Sequence, residues 1–253
     1  MTRIDLNCDM GESFGTWTMG DDAGVMPWIT SANIACGFHA GDFSTMCKTV
    51  LLAKRHGVAI GAHVSLPDLQ GFGRRVMKVS PDDAYALTLY QIGALSAFAR
   101  AADLRVAHVK PHGALYNMAA KDAALADAIA RAVRDFDAQL ILVGLADSEL
   151  AKAGAALGLA VAHEAFADRR YEADGSLTPR SVEGAVIEDA DAAVAQAVEI
   201  ATKGKAELRT GGTRELHADT ICVHGDRPDA ALFARKLREG LMAAGVVIAK
   251  FAG

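Results

Sequence analysis

Short apolar runs rich in β-branched residues recur along the chain, and the longer stretches between them place apolar residues at helical spacing. The runs fall at 4–8, 31–35, 58–62, 106–109, 140–143, 159–162 and 220–223, with an eighth at 246–249. The stretches at 44–56, 81–103, 122–136, 148–157, 189–203 and 229–243 predict helices. Their boundaries carry matching chemistry: Ser80, Pro81, Asp82 and Asp83 supply an N-cap, a first-turn proline and dipole-matched charge, and Gly57, Gly158 and Gly245 suit helix ends. Strand and helix in alternation predict repeated βα units and a parallel sheet. One segment departs from this: 205–218 reads as two short polar strands around Gly211-Gly212, an inserted hairpin. The order of elements favours a distorted (β/α) TIM-like barrel of seven or eight mostly parallel strands over an open doubly wound sheet. No G-x-G-x-x-G or P-loop pattern supports a nucleotide-binding sheet.

Composition narrows the function classes. With 253 residues, 51% of them hydrophobic, the chain can bury one large core, so one domain over 1–253 is the simplest organisation. Lys and Arg number 26 against 31 Asp and Glu, and no basic block occurs, which argues against nucleic acid or an anionic membrane as partner. A small-molecule substrate is the expectation. The start of the chain runs directly into a strand with nothing resembling an export signal, no stretch approaches a membrane span, and the four cysteines are too scattered for a disulfide framework. A cytoplasmic protein is therefore expected.

The chemistry collects where strands end. Asp9 and Glu12 follow the first run, His39 and Asp42 the second, His63 the third, Lys110 and His112 the fourth, Glu164 to Tyr171 the sixth, and His224 and Asp226 the seventh. In a barrel these exits share one face, so residues distant in sequence meet around one pocket. Each piece also has a plainer account. Asp9 and Glu12 fit an Asx turn and a helix-leading acid, Asp42 a helix cap, and His63 a satisfied core histidine. Lys110 resists such an account, because a lysine ending an apolar strand needs an anionic partner or ligand. His56, His108, His163 and His217 read as structural or exposed, and Cys8, Cys36 and Cys222 as small core residues. Arg74-Arg75 and Arg169-Arg170 are either solvated charge or grips for a carboxylate or phosphate.

Taken together, the exit motifs resemble the LamB/YcsF family, the A-type component of prokaryotic ATP-dependent 5-oxoprolinase. The resemblance is carried by Asp5-Leu6-Asn7-Cys8-Asp9-Met10-Gly11-Glu12, Ala32-Asn33-Ile34-Ala35-Cys36-Gly37-Phe38-His39-Ala40-Gly41-Asp42 and Gly61-Ala62-His63. It continues through Pro67-Asp68, Gly71-Phe72-Gly73-Arg74-Arg75, Val109-Lys110-Pro111-His112-Gly113-Ala114-Leu115-Tyr116-Asn117, Glu164-Ala165-Phe166-Ala167-Asp168-Arg169-Arg170-Tyr171 and Cys222-Val223-His224-Gly225-Asp226. It implies a barrel related to polysaccharide deacetylases, opening of 5-oxo-L-proline to L-glutamate with ATP hydrolysis, and B and C subunits as partners.

Under that resemblance the expected catalytic residues are Asp9, Glu12, His39, Asp42, His63, Lys110 and His112. The expected substrate-binding residues are Arg74, Tyr116, Glu164, Asp168, Arg170, His224 and Asp226. A lactam is a resonance-stabilised amide and needs activation, which ATP supplies by phosphorylating the amide oxygen. With no phosphate loop in this chain, the partners are expected to make that species and this chain to open the ring. Two rivals stand beside this: a stand-alone metal-dependent amidohydrolase or deacetylase, with Asp9, His39, His63 and His224 as candidate ligands of a divalent ion, and a non-catalytic ligand-binding subunit.

Overall fold

The computed structural model describes residues 2–223, 225 and 229–251. Strand β1 (Arg3–Met10) is followed by a short helix α1 (Asp22–Val25) and a single 3-10 turn at Met26–Trp28. Then come β2 (Ser31–Ala35), α2 (Phe43–His56), β3 (Ala59–Val64), α3 (Pro81–Ala101), β4 (Val106–Pro111), α4 (Gly113–Ala119) and α5 (Ala123–Phe136). The chain continues with β5 (Ile141–Leu145), α6 (Glu149–Ala156), β6 (Ala160–Phe166), α7 (Ala190–Lys203), β7 (Lys205–Glu207) and β8 (Thr213–Glu215). It ends with β9 (Thr220–Val223), α8 (Ala230–Ala243) and β10 (Val247–Ile248).

β1 to β6 and β9 pair in parallel and close on themselves through β9 and β1, giving a seven-stranded barrel. The eighth predicted strand exists as β10 but joins only the start of β1, opposite Arg3 and Ile4, outside the ring. β9 takes over that edge of β1 from Asp5 to Cys8, so one strand serves two neighbours in succession. β7 and β8 form a separate antiparallel pair, and its turn holds Gly211 and Gly212 at φ of 89° and 83°, a region open to glycine at little cost.

Helices cover the barrel with apolar faces. Ile92 and Leu95 of α3 and Ile129 and Val133 of α5 join one buried cluster with the outward residues Leu6, Ile34 and Ile60 of the strands. Helix starts are capped by side chains: Asp42 at Thr45, Ser80 at Asp83, Ser148 at Ala151 and Asp189 at Ala192. Among the described residues no helix is long and apolar enough to cross a membrane.

Two expectations change. Four strands run further than their apolar cores, so Asp9, His63, Lys110 and Glu164 lie inside β1, β3, β4 and β6 rather than in the loops after them. Backbone pairing continues there because the inward face of the barrel accepts polar residues that an apolar run excludes. The helices α1 and α4 have no counterpart among the predicted elements; both are too short to show a full amphipathic period.

Candidate active site

Alternation along β1 sorts its residues into two sets: Ile4, Leu6, Cys8 and Met10 pack outward into the core, while Asp5, Asn7 and Asp9 face inward. The same alternation brings Ser31 and Asn33, His108 and Lys110, Glu164, Thr220 and Cys222 into the interior. The barrel is thus filled by a hydrogen-bonded polar column instead of aliphatic layers.

At its base Asp5 accepts from Thr30, Ser31 and Thr220 at 2.7, 2.7 and 2.6 Å. Burial pushes its carboxyl up to about 6, against the pull of those hydroxyls. Above it, Asn7 donates to Thr220 at 2.7 Å, and Asn33 donates to Asn7 Oδ1 at 2.7 Å and to Asp9 Oδ1 at 2.9 Å. His108 Nε2 donates to Asn33 Oδ1 at 2.7 Å, which fixes that amide's orientation. The column is continuous, so each layer orients the next.

The top layer centres on Lys110. Its ammonium lies 2.6 Å from Glu164 Oε1 and 3.1 Å from Asp9 Oδ1, donates to Asn7 Oδ1 at 3.0 Å, and sits 3.3 Å from Cys222 Sγ. Burial opposes its charge, yet Asp9, Cys222 and Glu164 outweigh it and hold the amine well above the usual lysine range. Asp9 mirrors this: burial opposes ionisation, but His63 and Lys110 keep its carboxyl well below the usual range. Tyr116 donates to the other Glu164 oxygen at 2.7 Å, so burial and the adjacent carboxylate raise its phenol. Lys110 is fully engaged by its own protein.

Three histidines stand beside Asp9. His63 Nδ1 is 2.9 Å from the Lys110 carbonyl, and His112 Nε2 is 2.9 Å from the Phe72 carbonyl. A carbonyl only accepts, so both nitrogens carry protons. In the neutral rings the remaining lone pairs, on His63 Nε2 and His112 Nδ1, then face each other at 2.9 Å, with Asp9 Oδ2 3.2 Å from His63 Nε2. Three acceptors converge, an arrangement that calls for a shared proton or a cation between them. His39 stacks on His112 at 4.0 Å between centroids, fully buried, and neither of its ring nitrogens has a hydrogen-bond partner among the described residues. One donor atom from each of Glu12, His39, His63 and His112 lies within 4.8 Å of the others. Burial, then the neighbouring His63, lowers His112 to about 3, and burial with the neighbouring His112 and His63 lowers His39 well below its ordinary value.

Asp9, His63, Lys110 and His112 reach the floor of an open cavity of about 410 Å³. Its walls come from 113–121 and from the long β6 exit loop, and the loop after β3 contributes Arg74. That β3 loop is pinned by the Asp68–Arg75 ion pair, in which Arg75 Nε donates at 2.7 Å. It reaches the floor through Gly73, at φ +64°, where an added Cβ would stand 2.8 Å from His39 Cβ and 2.9 Å from His112 Cδ2.

Of the expected residues, Tyr116 and Arg74 also line the cavity, while Glu164 and Glu12 are buried behind its floor. Asp42, half-buried, caps α2 and accepts from Gly15 N at 2.7 Å, and it is not among the residues lining the cavity. Arg170 turns outward and pairs with Glu207; its neighbour Arg169 lines the cavity instead. Asp168 is buried beside it. His224 and Asp226 lie outside the described residues. The residues not foreseen are Asn7, Asn33 and Cys222 in the column, and Thr178 and Arg180 in the wall; Arg169 is one of the pair for which a ligand-gripping alternative stood open. Polar residues at every second position of β1 and β2 were the available signal for Asn7 and Asn33, and one that reads equally as a solvent-facing edge. The second group had none, and for the Arg169-Arg170 pair the loop's fold decides which of the two turns inward.

The LamB/YcsF family model matches residues 4–253. The A subunit of 5-oxoprolinase from Methylococcus capsulatus is 60% identical over 250 residues, covering 99% of this chain and 96% of that one. A lactam utilization protein from Thermus thermophilus, known from a crystal structure, superposes with a TM-score of 0.93 at 47% identity, covering 98% of this chain and all of the other. A mutant of a CE4 family pseudoenzyme with restored activity shares the fold at a TM-score of 0.51 and 9% identity, covering 98% of this chain and 65% of that one.

Proposed function

The chain belongs to the LamB/YcsF family, and from that membership and the chemistry of the barrel mouth we propose that it is the ring-opening subunit of an ATP-dependent 5-oxoprolinase. On this reading a cytoplasmic complex with B and C subunits converts 5-oxo-L-proline to L-glutamate, and this chain contributes one barrel domain. The observation that carries it is the floor of the cavity, where an ionised Asp9 held by Lys110 meets the facing nitrogens of His63 and His112.

The partner subunits transfer the γ-phosphoryl group of ATP to the lactam oxygen; ADP leaves and the ring nitrogen loses its proton, giving an imidate phosphate. Water then adds its oxygen to the former carbonyl carbon and gives its proton to the Asp9–His63 pair. As water adds, the C=N π electrons move to nitrogen, which takes up a first proton; the carbon–nitrogen bond then breaks with its electrons on nitrogen as the carbonyl re-forms, and the hydroxyl proton passes to nitrogen by way of His112. A second water releases phosphate from the resulting acyl phosphate. Lys110 and Glu164 position Asp9 without touching substrate, and Tyr116 sits at the edge of the same pocket.

The test is to combine the purified chain, 5-oxoproline and ATP, with and without the partner subunits, and to measure glutamate and phosphate. Equal release of both with the partners, and neither without them, is expected. Glutamate formed by the chain alone, without ATP, would overturn the division of labour.

A divalent ion is a second reading, favoured by the orphaned nitrogens of His39 and the converging lone pairs. Glu12, His39, His63 and His112 would hold it; three imidazoles and a carboxylate suit zinc or manganese. The sequence named Asp9 and His224 beside His39 and His63; Asp9 holds Lys110 and Asn33 through Oδ1 and turns Oδ2 to His63 Nε2 at 3.2 Å, next to this set, and His224 lies outside the described residues. Such an ion would supply a more acidic bound water. Elemental analysis checks it: one equivalent in the wild-type chain, lost in His39→Ala, supports the ion.

A further inference from the structure

Among the described residues the hairpin of β7 and β8 pairs with no strand of the barrel, and one of its faces is polar and exposed. Its other face reaches the cavity wall. Ala206 and Leu216 share one apolar cluster with Tyr116, Leu145 and Phe166, which line the cavity, and Leu177 and Leu208 pack against that cluster. Tyr171, fully buried, joins the two parts: its N–H donates to the Glu207 carbonyl at 3.3 Å, its carbonyl accepts from Arg209 N at 3.0 Å, and its hydroxyl accepts from Phe166 N at 2.8 Å. The β6 exit loop thus runs along the hairpin's edge before it turns into the cavity. Charge holds that turn. Arg209 meets Glu172 with its guanidinium fork, Nε to Oε1 at 2.9 Å and Nη2 to Oε2 at 3.5 Å, and with Thr178 it holds that carboxyl below the usual range. Glu172 Oε1 also accepts from Thr178 Oγ1 at 2.8 Å. Thr178 belongs to the cavity wall; its N–H donates to the Arg170 carbonyl at 3.0 Å, and its carbonyl accepts from Arg169 Nη2 at 2.6 Å. Its hydroxyl, N–H and carbonyl are all engaged, and the outermost of these links starts on the hairpin. Arg214 adds a second strut: Nη2 donates to Asp147 Oδ2 at 3.2 Å, and Gly175, at φ +88°, passes so close that a Cβ there would overlap Nη1.

We propose that the hairpin is a clamp on the cavity wall, with Arg209 as a positioning residue. Through Glu172 it fixes Thr178, and through the Thr178 carbonyl Arg169, so that the segment 176–180 retains the activated lactam until its ring opens. The inference rests on the ring-opening reading and gives a role to an element that the βα order does not require. Retention matters because the activated species has a second fate in water. Water adds to phosphorus, the phosphorus–oxygen bond breaks with its electrons on the lactam oxygen, and the ring nitrogen takes up a proton. Lactam and phosphate are returned, and ATP is consumed without ring opening. A wall that holds the ligand against the floor suppresses that loss.

Arg209→Ala, Glu172→Gln and the double variant are compared with wild type, each in excess over the partner subunits so that its amount is not limiting. Glutamate released per phosphate is expected to fall about two- to fivefold in each single variant and no further in the double, with melting temperatures within about 2 °C of wild type, the scale of one partly exposed ion pair. A ratio that both variants leave unchanged overturns the proposal. So does a fall that more of the variant restores, which means lost folding or docking, and so do losses that add in the double variant, which mean separate contacts. A second arm needs no turnover: in the isolated full-length chain, hydrogen exchange at 176–180 is expected to quicken by about the same factor in both single variants while α3 is unaffected. Unchanged exchange overturns the clamp. If the clamp fails while the wild-type complex makes glutamate, only the clamp falls. If exchange responds as expected but the wild-type complex opens no ring, the ring-opening reading falls and the retained ligand with it, while the hairpin's hold on the wall stands.

Discussion

Lys110 illustrates how a single buried charge is tolerated. Removing it leaves Asp9 and Glu164 unpaired inside the barrel, 16% and 0% exposed at their side chains. Lys110→Met is therefore expected to destabilise the fold by about 3–5 kcal/mol, measured by urea unfolding, in addition to abolishing turnover. Asp9→Asn keeps the shape and removes the charge, and should lower glutamate formation by about 10²–10⁴ with the fold intact. Retained turnover would remove Asp9 from the chemistry. Acid sensitivity is set further down the column. His108, which burial and then Lys110 lower to about 3, stays neutral in the fold while the unfolded chain takes a proton near 6.5, so stability falls as pH drops from 6.5 toward 3. Asp5, raised to about 6, works the other way: its protonated form is favoured in the fold, so its contribution is lost as pH rises from 3.8 through 6. Melting curves between pH 4 and 6.5 should show His108→Gln less acid-sensitive than wild type and Asp5→Asn more so.

Elements differ in how directly local chemistry specifies them. Ser80 accepts from Asp83 N at 3.1 Å, followed by Pro81 and the acidic pair, and α3 begins where those residues predict. Ser80→Ala should cost about 1 kcal/mol, seen as a melting shift of about 2–4 °C. Strand ends are less legible. The apolar run of β4 stops at 109, yet the strand continues to Pro111, because Lys110 finds carboxylates inside the barrel that no local pattern reveals. Glycine positions show the same dependence on neighbours. Gly61 in β3 has an ordinary backbone, yet a Cβ there would stand 2.1 Å from His108 Nε2. Gly61→Ala must push His108 off Asn33 and disturb the layer that orients Asp9; a drop in turnover larger than the drop in stability is the expected signature.

At the scale of the whole molecule, closure of β9 onto β1 brings residues from 7 to 222 around one lysine. The sequence by itself determined the βα order, the helix caps, the polar hairpin and the gathering of ionisable groups at strand exits, because periodicity, capping and turn chemistry act over a few residues. Motif order likewise pointed to the family. Only the tertiary structure decided that seven strands close the ring while the eighth stays outside, that Lys110 is neutralised from within, and that Arg169 rather than Arg170 faces the cavity. It alone brought His112 and Glu12 together with His39 and His63. The reason is physical: which polar group meets which depends on barrel closure and loop path, and these bring together groups 215 positions apart, as with Asp5 and Thr220. An alternating strand states that one face is polar; only the closed barrel turns that face inward, away from water, and makes it a site.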